Sequence, residues 1–176
     1  MNFQEYCIQC HRNTNHYYDT YLPYEFHLRM VVQVANDFTH LVYQFAEGDA
    51  DSVWEDIEKA CWGHDLIEDT RTSYNDIRMF SNHRVADIIY AVTNEKGKNR
   101  KERANHKYYE GICNTEGAVF VKLCDRIANV QYSKLTKSSM FEMYKSENKY
   151  FTTMLDRKEQ YAHLEDMFKY LENLFA

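Results

Sequence analysis

Hydrophobic residues recur along most of the chain at intervals of three and four, the spacing that places them on one face of an α-helix. The chain has only one proline and five glycines, so few positions interrupt this pattern, and a β-sandwich would need more turn residues. The pattern therefore predicts an all-α fold, a helical bundle. At 176 residues the chain is long enough for one sizeable core and too short for two, which predicts a single domain over residues 1–176.

Capping residues and apolar spacing predict where the helices begin and end. In the first half of the chain we expect a helix over about residues 3–15, one from Pro23 with Phe26, Met30, Val34, Phe38 and Leu41 on one face, one from a Ser52–Glu55 capping box to about Glu68, and short ones from Ser73 and over Val85–Val92. In the second half we expect helices opening at Thr115, at Ser139 with Glu142, and at about Lys158, the last burying Leu164, Met167, Phe168, Leu171 and Leu174. Between them, residues 94–103 form a polar, basic loop.

Charge and composition exclude several classes of protein. The net charge of −6 argues against a nucleic acid as the main partner, although a local basic patch or a bound cation could still hold a small phosphorylated ligand. No 18-residue apolar run is present, so we expect no membrane span. The first residues lack the pattern of a signal peptide, and the five cysteines are odd in number, which favours reduced thiols in a cytoplasmic protein. A homo-oligomer is compatible with this sequence.

One segment concentrates ionisable side chains. His64 and Glu68 are four residues apart, as are Asp65 and Asp69, so in a helical segment each pair shares a face. One imidazole and three carboxylates repel one another at such close quarters unless a cation lies among them. Imidazole and carboxylate ligands suit Mn²⁺, Fe²⁺, Zn²⁺ or Mg²⁺, and the ligand types alone do not choose among these ions.

Two further segments strengthen this interpretation, because a His-Asp dipeptide alone occurs often by chance. Asp125 lies in an otherwise apolar helical stretch, where a carboxylate needs a buried partner. Asn129 lies one turn further along the same face, and His27 stands in a similar apolar stretch. The sequence therefore predicts a metal site built from separate helices.

The order of these residues resembles a known signature. A histidine, a His-Asp pair and a later aspartate, in that order, characterise the HD superfamily of metal-dependent phosphohydrolases. Three segments resemble the hydrolase domain of the RelA/SpoT homologues: Pro23-Tyr24-Glu25-Phe26-His27, His64-Asp65-Leu66-Ile67-Glu68-Asp69-Thr70 and Lys122-Leu123-Cys124-Asp125-Arg126-Ile127-Ala128-Asn129. The resemblance covers about residues 10–130, and the chain length is similar to that of the small alarmone hydrolases. It implies an HD-domain helical bundle.

The resemblance also implies a role for individual residues. The metal ligands would be His27, His64, Asp65 and Asp125, holding one divalent ion, Mn²⁺. Glu68 and Asp69 would position and deprotonate the attacking water. The substrate would be guanosine 3′,5′-bis(diphosphate), with pyrophosphate released from its 3′ position. The substrate-binding residues would be Asn129 and Tyr18 at the nucleoside, and Lys98, Arg100 and Lys145 at the phosphates.

This chain departs from the family pattern at two places. A His-Pro pair is usual at the first ligand, and here the pair is His27-Leu28. The basic pair that helps to hold guanine is absent upstream, where the sequence reads Asn15-His16-Tyr17-Tyr18-Asp19. Because tyrosines stack on any base, the sequence leaves the nucleotide open. The alternatives are an HD-type phosphatase of another nucleotide, such as a nucleoside monophosphate or NADPH, and an inactive sensor that binds metal and nucleotide.

A second cluster of ligand-type residues lies near the start of the chain. Cys7, Cys10 and His11 match the spacing of a haem-attachment motif, and with His16 they could hold zinc. Haem attachment requires export, and zinc would require a second close pair of ligands. We therefore expect Cys7 and Cys10 to pack inward on a helix.

Overall fold

The protein is a bundle of α-helices with one small hairpin, as seen in a computed structural model that describes residues 1–155 and 161–176. In the first half, α1 spans Phe3–Asn13, β1 Tyr17–Tyr18, β2 Leu22–Pro23, α2 Glu25–Asp37, α3 Thr39–Phe45, α4 Ala50–Gly63, α5 Leu66–Asp69 and α6 Tyr74–Phe80. In the second half, α7 spans His83–Val92, α8 Arg100–Arg103, α9 His106–Cys113, α10 Ala118–Leu135, α11 Met140–Leu155 and α12 Glu165–Leu174, with a 3-10 turn at Ala162–Leu164 before α12. The all-α prediction is confirmed.

Helix α10 lies at the centre of the bundle. It packs against α2, α4, α7, α9, α11 and α12, and it buries an almost continuous apolar surface that includes Val119, Phe120, Leu123 and Ile127. Gly117 precedes its first turn with a φ of +81°, and a Cβ there would lie 3.3 Å from both Ile57 and Ile88 side chains. Glycine is suited to this position because it adopts positive φ without a steric cost.

Several predicted boundaries are wrong in detail. Helix α4 begins after Asp49, whose carboxylate accepts from the Asp51 amide, and not at the Ser52–Glu55 capping box. The helix ends at Gly63 and does not run to Glu68, because the backbone turns at His64 and Asp65 before α5 starts. An added Cβ at Gly63 would lie 2.6 Å from Ile89 Cδ1. Glycine therefore lets the end of α4 pack closely on α7, just before the candidate ligands.

The second predicted helix is also divided and rotated. Helix α2 ends at Asp37, and Leu41 lies on the separate α3. The buried face of α2 is rotated from the predicted stripe. Val34 is buried as predicted, but Phe26 is 39% exposed, and the other buried residues are His27, Leu28, Val31, Val32 and Ala35. Packing of α2 against α4 and α10 selects the face that carries His27. This rotation is what places the histidine in the core.

The remaining sequence predictions have mixed outcomes. Helix α6 has the expected Ser73 cap, completed by Asp76, and α12 buries Met167 and Leu171 as expected. Helix α10 opens at Ala118, after the predicted Thr115, while the predicted start at Lys158 lies outside the described residues. The basic loop contains the short helix α8, and α9 was not predicted.

No helix within the described ranges combines the length and apolar character needed to cross a membrane. All five cysteines are free thiols, and Cys10 is the one that is not fully buried. Cys7 packs inward as expected.

Candidate functional site

Four helical segments bring the predicted metal ligands to one point. His27 lies in the first turn of α2, His64 at the end of α4, Asp65 before α5 and Asp125 midway along α10. The two histidines are buried, with relative exposures of 1% and 2%. Since α2 packs on both α4 and α10, the three separate stretches of sequence converge in the core.

The distances among these atoms are those of a ligand cluster. The Nε2 atoms of His27 and His64 are 3.2 Å apart. His64 Nε2 lies 2.9 Å from an Asp65 oxygen, and His27 Nε2 lies 3.3 Å from an Asp125 oxygen. One potential ligand atom each from His27, His64 and Asp125 falls within 4.8 Å of the others. Two nitrogens and two carboxylate oxygens therefore face a common centre.

The surroundings of the histidines fit a bound cation. The Nδ1–H of His64 donates to the Cys61 carbonyl at 2.9 Å, so Nε2 is the nitrogen that faces the centre and would exchange its proton for a bound cation. The His27 Nδ1 is buried without a hydrogen-bond partner among the described residues. Two imidazoles and two carboxylates form a donor set that suits a borderline divalent ion. The residues present thus fit the metal that the sequence motifs imply.

The electrostatics of the cluster favour positive charge at its centre. Burial alone would lower the pKa of His64, but the adjacent Asp65 carboxylate raises it to about 10. Burial would raise the pKa of Asp125, yet the Lys122 ammonium, 2.8 Å from its second oxygen, holds that pKa well below its usual range. Both carboxylates are therefore ionised, and the site attracts a cation.

The predicted acid pair, Glu68 and Asp69, lies on α5 beside the ligands. The Tyr24 hydroxyl donates to Asp65 and lies 3.5 Å from an Asp69 oxygen. Burial, with the negative charges of Asp65 and Glu68, raises the pKa of Asp69 to about 7. A carboxyl group with this pKa can take up and release a proton near neutral pH.

Glu68 is held by a residue that the sequence analysis did not identify. The Asn94 side-chain amide donates to both carboxylate oxygens of Glu68, at 2.8 and 3.0 Å, and the Asn94 backbone N–H donates to one of them at 3.2 Å. Asn94 lies just after α7, at the start of the basic loop. Its signal in the sequence is weak, because nothing local distinguishes it from an ordinary loop asparagine.

One cavity of about 540 Å³ is lined by the acid pair and by three of the candidate ligands, His27, Asp65 and Asp125. Of the predicted substrate-binding residues, Tyr18, Arg100 and Asn129 line it, whereas Lys98 and Lys145 are not among its lining residues. The Lys145 ammonium donates instead to the Phe175 carbonyl at 3.0 Å. Lys101 and Arg103 of the basic loop, which the family resemblance places near the phosphates, also line the cavity. The lining residues that were not predicted are Tyr24, Asn94, Ala104, Tyr108, Tyr109, Lys122, Arg126, Tyr144, Ser146, Glu147 and Tyr150.

Tyr18 and Asn129 connect the cavity wall to the ligands. The Tyr18 ring stacks on the His27 ring at 4.8 Å, and its hydroxyl donates to the Asn129 side-chain oxygen at 2.9 Å. The Asn129 amide donates in turn to an Asp125 oxygen at 2.6 Å. The β1–β2 hairpin holds Tyr18 in this position. This element was not predicted, because residues 17–23 show no alternating apolar pattern.

The N-terminal Cys and His residues do not form a second centre. Within the described residues, the three ligands His27, His64 and Asp125 are the grouping with metal-binding geometry. His11 instead contacts His16 through their Nδ1 atoms at 3.1 Å and stacks on Tyr24 at 4.3 Å. This stack packs beside the acid pair, with His16 Nδ1 3.8 Å from an Asp69 oxygen.

Comparison with known proteins identifies the fold. No protein-family profile matches the chain. A solved structure of a metazoan ortholog of SpoT, described as hydrolysing ppGpp and playing a role in starvation responses, superposes with a TM-score of 0.68. The match covers 98% of this chain and 91% of that chain at 18% sequence identity. The chain therefore shares the all-α helical-bundle fold of the SpoT ortholog.

Proposed function

We propose that this protein is a metal-dependent phosphohydrolase that acts on guanosine 3′,5′-bis(diphosphate) or a closely related nucleotide. One observation carries the proposal: three of the four candidate ligands, His27, Asp65 and Asp125, line a single cavity together with Glu68, Asp69 and several cationic side chains. The fourth, His64, lies behind them, with its Nε2 atom 3.2 Å from that of His27. The shared fold with a SpoT ortholog that hydrolyses ppGpp supports it.

The charge of the cavity favours a ligand with more than one phosphate group. Its cationic lining residues are Arg100, Lys101, Arg103, Lys122 and Arg126. A nucleoside monophosphate would offer a single anionic group to this set, whereas a bis-diphosphate offers two arms. The tyrosines of the cavity supply flat faces and hydroxyl groups for a nucleoside, without the guanine-binding basic pair.

The chemistry at the metal centre follows from the groups that surround it. A divalent cation held by His27, His64, Asp65 and Asp125 would acidify a water molecule and neutralise charge on a phosphoryl oxygen. Glu68, fixed by Asn94, orients the attacking water, and Asp69 accepts its proton. The water oxygen forms a bond to phosphorus while the bond from phosphorus to the 3′ oxygen breaks. The 3′ oxygen takes a proton, and pyrophosphate leaves.

The metal and the compartment are part of the same proposal. Mn²⁺ suits two imidazoles and two carboxylates, as do Fe²⁺ and Zn²⁺, and we propose Mn²⁺ from the motif resemblance. Five free cysteines are expected where thiols stay reduced, which supports a cytoplasmic protein.

The test is release of phosphate and pyrophosphate from guanosine tetraphosphate, NADPH and nucleoside monophosphates, with Mn²⁺ and with chelator. We expect pyrophosphate release from the tetraphosphate that requires Mn²⁺. Glu68→Gln should abolish turnover and spare nucleotide binding, while the exposed Glu110→Gln serves as a matched control. Hydrolysis of another nucleotide, and not of the tetraphosphate, would identify that nucleotide as the substrate. Metal binding without hydrolysis of any of them would support the sensor function.

A further inference from the structure

A carboxylate of α11 is shared by two arginines in the wall of the cavity. Glu147 accepts from Arg100 Nε at 3.0 Å and from Arg100 Nη2 at 3.1 Å, each through a different oxygen. The second of these oxygens also accepts from Arg126 Nη1 at 3.2 Å. All three residues line the cavity that contains the candidate metal ligands. A single carboxylate therefore accepts hydrogen bonds from two guanidinium groups, two from Arg100 and one from Arg126.

The two guanidinium groups are held by more than this carboxylate. Arg126 is 8% exposed and lies over the rings of Tyr144 and Phe151, at 4.8 and 4.3 Å from their centroids. Arg100 lies 5.8 Å from the Tyr144 ring on the short helix α8. Cation–π contacts with these rings keep the cations in place when the counterion changes. The Glu147 side chain is 31% exposed, so a ligand in the cavity can reach it.

The geometry matches the recognition of a phosphate group. Arginine forks bind carboxylates and phosphates through the same paired N–H donors, and a doubly charged phosphate binds more strongly than a carboxylate. Glu147 is ionised at neutral pH, because the Arg100 hydrogen bonds outweigh its partial burial and lower its pKa. The carboxylate therefore competes directly with any anion that approaches the pair.

We propose that Glu147 is a specificity-determining residue that occupies the Arg100–Arg126 pair in place of a phosphate group, so that only a nucleotide with a second phosphorylated arm displaces it. The inference rests on the proposed function, in which the first arm lies at the metal centre. A nucleoside monophosphate uses its one phosphate there and leaves Glu147 in place. A bis-diphosphate spends part of its binding free energy on displacing Glu147 and gains both arginines.

The opposite role is a fixed scaffold, in which Glu147 orients the arginines so that they bind phosphate better. The two roles predict opposite signs when the carboxylate is neutralised. A competitor weakens phosphate binding, so its loss tightens binding of the tetraphosphate. A scaffold strengthens phosphate binding, so its loss weakens it.

The experiment measures nucleotide binding by calorimetry with Mn²⁺ in a Glu68→Gln background, where turnover is blocked. We expect E147Q to tighten guanosine tetraphosphate binding by about tenfold, the effect of one close charge pair, and to leave guanosine 5′-monophosphate binding unchanged. Glu116→Gln is the matched control. It removes the same charge from a glutamate that is paired with an arginine, Arg84, at 3.1 Å, and neither of these two residues lines the cavity. Equal or weaker tetraphosphate binding in E147Q would overturn the role.

Folding of the variant is controlled separately, since E147Q leaves the nearly buried Arg126 without its counterion. Thermal unfolding of each variant measures the resulting loss of stability, and Glu147→Asp gives a second test of nucleotide binding. The aspartate is one methylene shorter and cannot keep all three contacts, so it should shift tetraphosphate binding in the same direction by a smaller factor. Absence of hydrolysis by the wild-type chain refutes the proposed function, whereas active wild-type with no gain in E147Q refutes the role of Glu147 alone.

Discussion

The side-chain amide of Asn94 donates to both carboxylate oxygens of Glu68, at 2.8 and 3.0 Å. The contact joins the start of the basic loop to the acid pair on α5. An amide that donates to both oxygens fixes the plane of the carboxylate and removes its rotational freedom. The Glu68 carboxylate therefore has a set orientation in the cavity, although Asn94 lies 26 residues away along the chain.

Replacing Asn94 tests whether this orientation matters for turnover. Asn94→Ala removes the two side-chain hydrogen bonds and keeps the backbone one, so we expect kcat to fall by about 10- to 100-fold, as for other residues that orient a catalytic group. The KM and the affinity for Mn²⁺ should not change, because Asn94 touches no metal ligand. Steady-state kinetics and Mn²⁺ titration check both, with the exposed Asn36→Ala as control. A change in KM alone would instead place Asn94 in substrate binding.

Tyr24 contacts both a candidate metal ligand and a member of the acid pair. Its hydroxyl donates to Asp65 and lies 3.5 Å from Asp69, while its ring stacks on His11 and His16. Tyr24→Phe keeps the ring and removes the donor, so we expect about a 10-fold or larger loss of Mn²⁺ affinity or of kcat. The matched control is Tyr43→Phe, which removes an exposed hydroxyl from Asp51. Wild-type metal affinity and kcat in Tyr24→Phe would show that the hydroxyl has no role.

The meeting of the candidate metal ligands could be predicted from the sequence because each of them lies in a short motif with an unusual composition. Asp125 is a carboxylate in an apolar stretch, and His64-Asp65 precedes two further acids. Their convergence required only that the helices carrying them pack together. This convergence does not depend on the exact helix ends, so the wrong prediction for the end of α4 did not affect it.

The other half of the cavity could not be predicted in the same way. Arg126 and Glu147 are twenty-one residues apart and belong to different helices, and each alone has the appearance of an ordinary surface charge. Lys145 was expected to bind phosphate because it lies on the helix after the last motif. In the structure Lys145 faces the Phe175 carbonyl, and Glu147, two residues further along α11, lines the cavity. The face of α11 that is buried contains Tyr144, Phe151 and Leu155 but also the polar Asn148, so its orientation was not evident from the sequence.

Metal removal should be visible in the stability of the fold. A ligand that binds only the native state stabilises it by about 2.7 kcal/mol at a concentration of 100 times its Kd, so we expect Mn²⁺ to raise the unfolding temperature by several degrees and a chelator to reverse this. His64→Gln removes a ligand and should abolish the shift. His106→Gln, at an exposed histidine of α9, should retain it. An equal shift in His64→Gln would mean that Mn²⁺ binds elsewhere.

His11 should make the fold sensitive to mild acid. Burial lowers its pKa in the folded protein to about 3, against about 6.5 in an unfolded chain. As the pH falls below about 6.5, His11 becomes protonated in the unfolded chain but stays neutral in the folded protein. Stability is therefore lost progressively between about pH 6.5 and pH 3. One pH unit below the unfolded pKa costs about 1.36 kcal/mol of unfolding free energy, so the loss at pH 5 is about 2 kcal/mol.

Urea unfolding at pH 7 and pH 5 measures this effect when wild-type is compared with His11→Gln. The glutamine does not titrate, so the variant should lose less stability between the two pH values than the wild-type does. The difference between the two losses isolates His11 from His16, whose pKa burial also lowers. His106→Gln should keep the wild-type pH dependence, because that side chain is exposed. Parallel losses in wild-type and His11→Gln would show that His11 is protonated in the folded state.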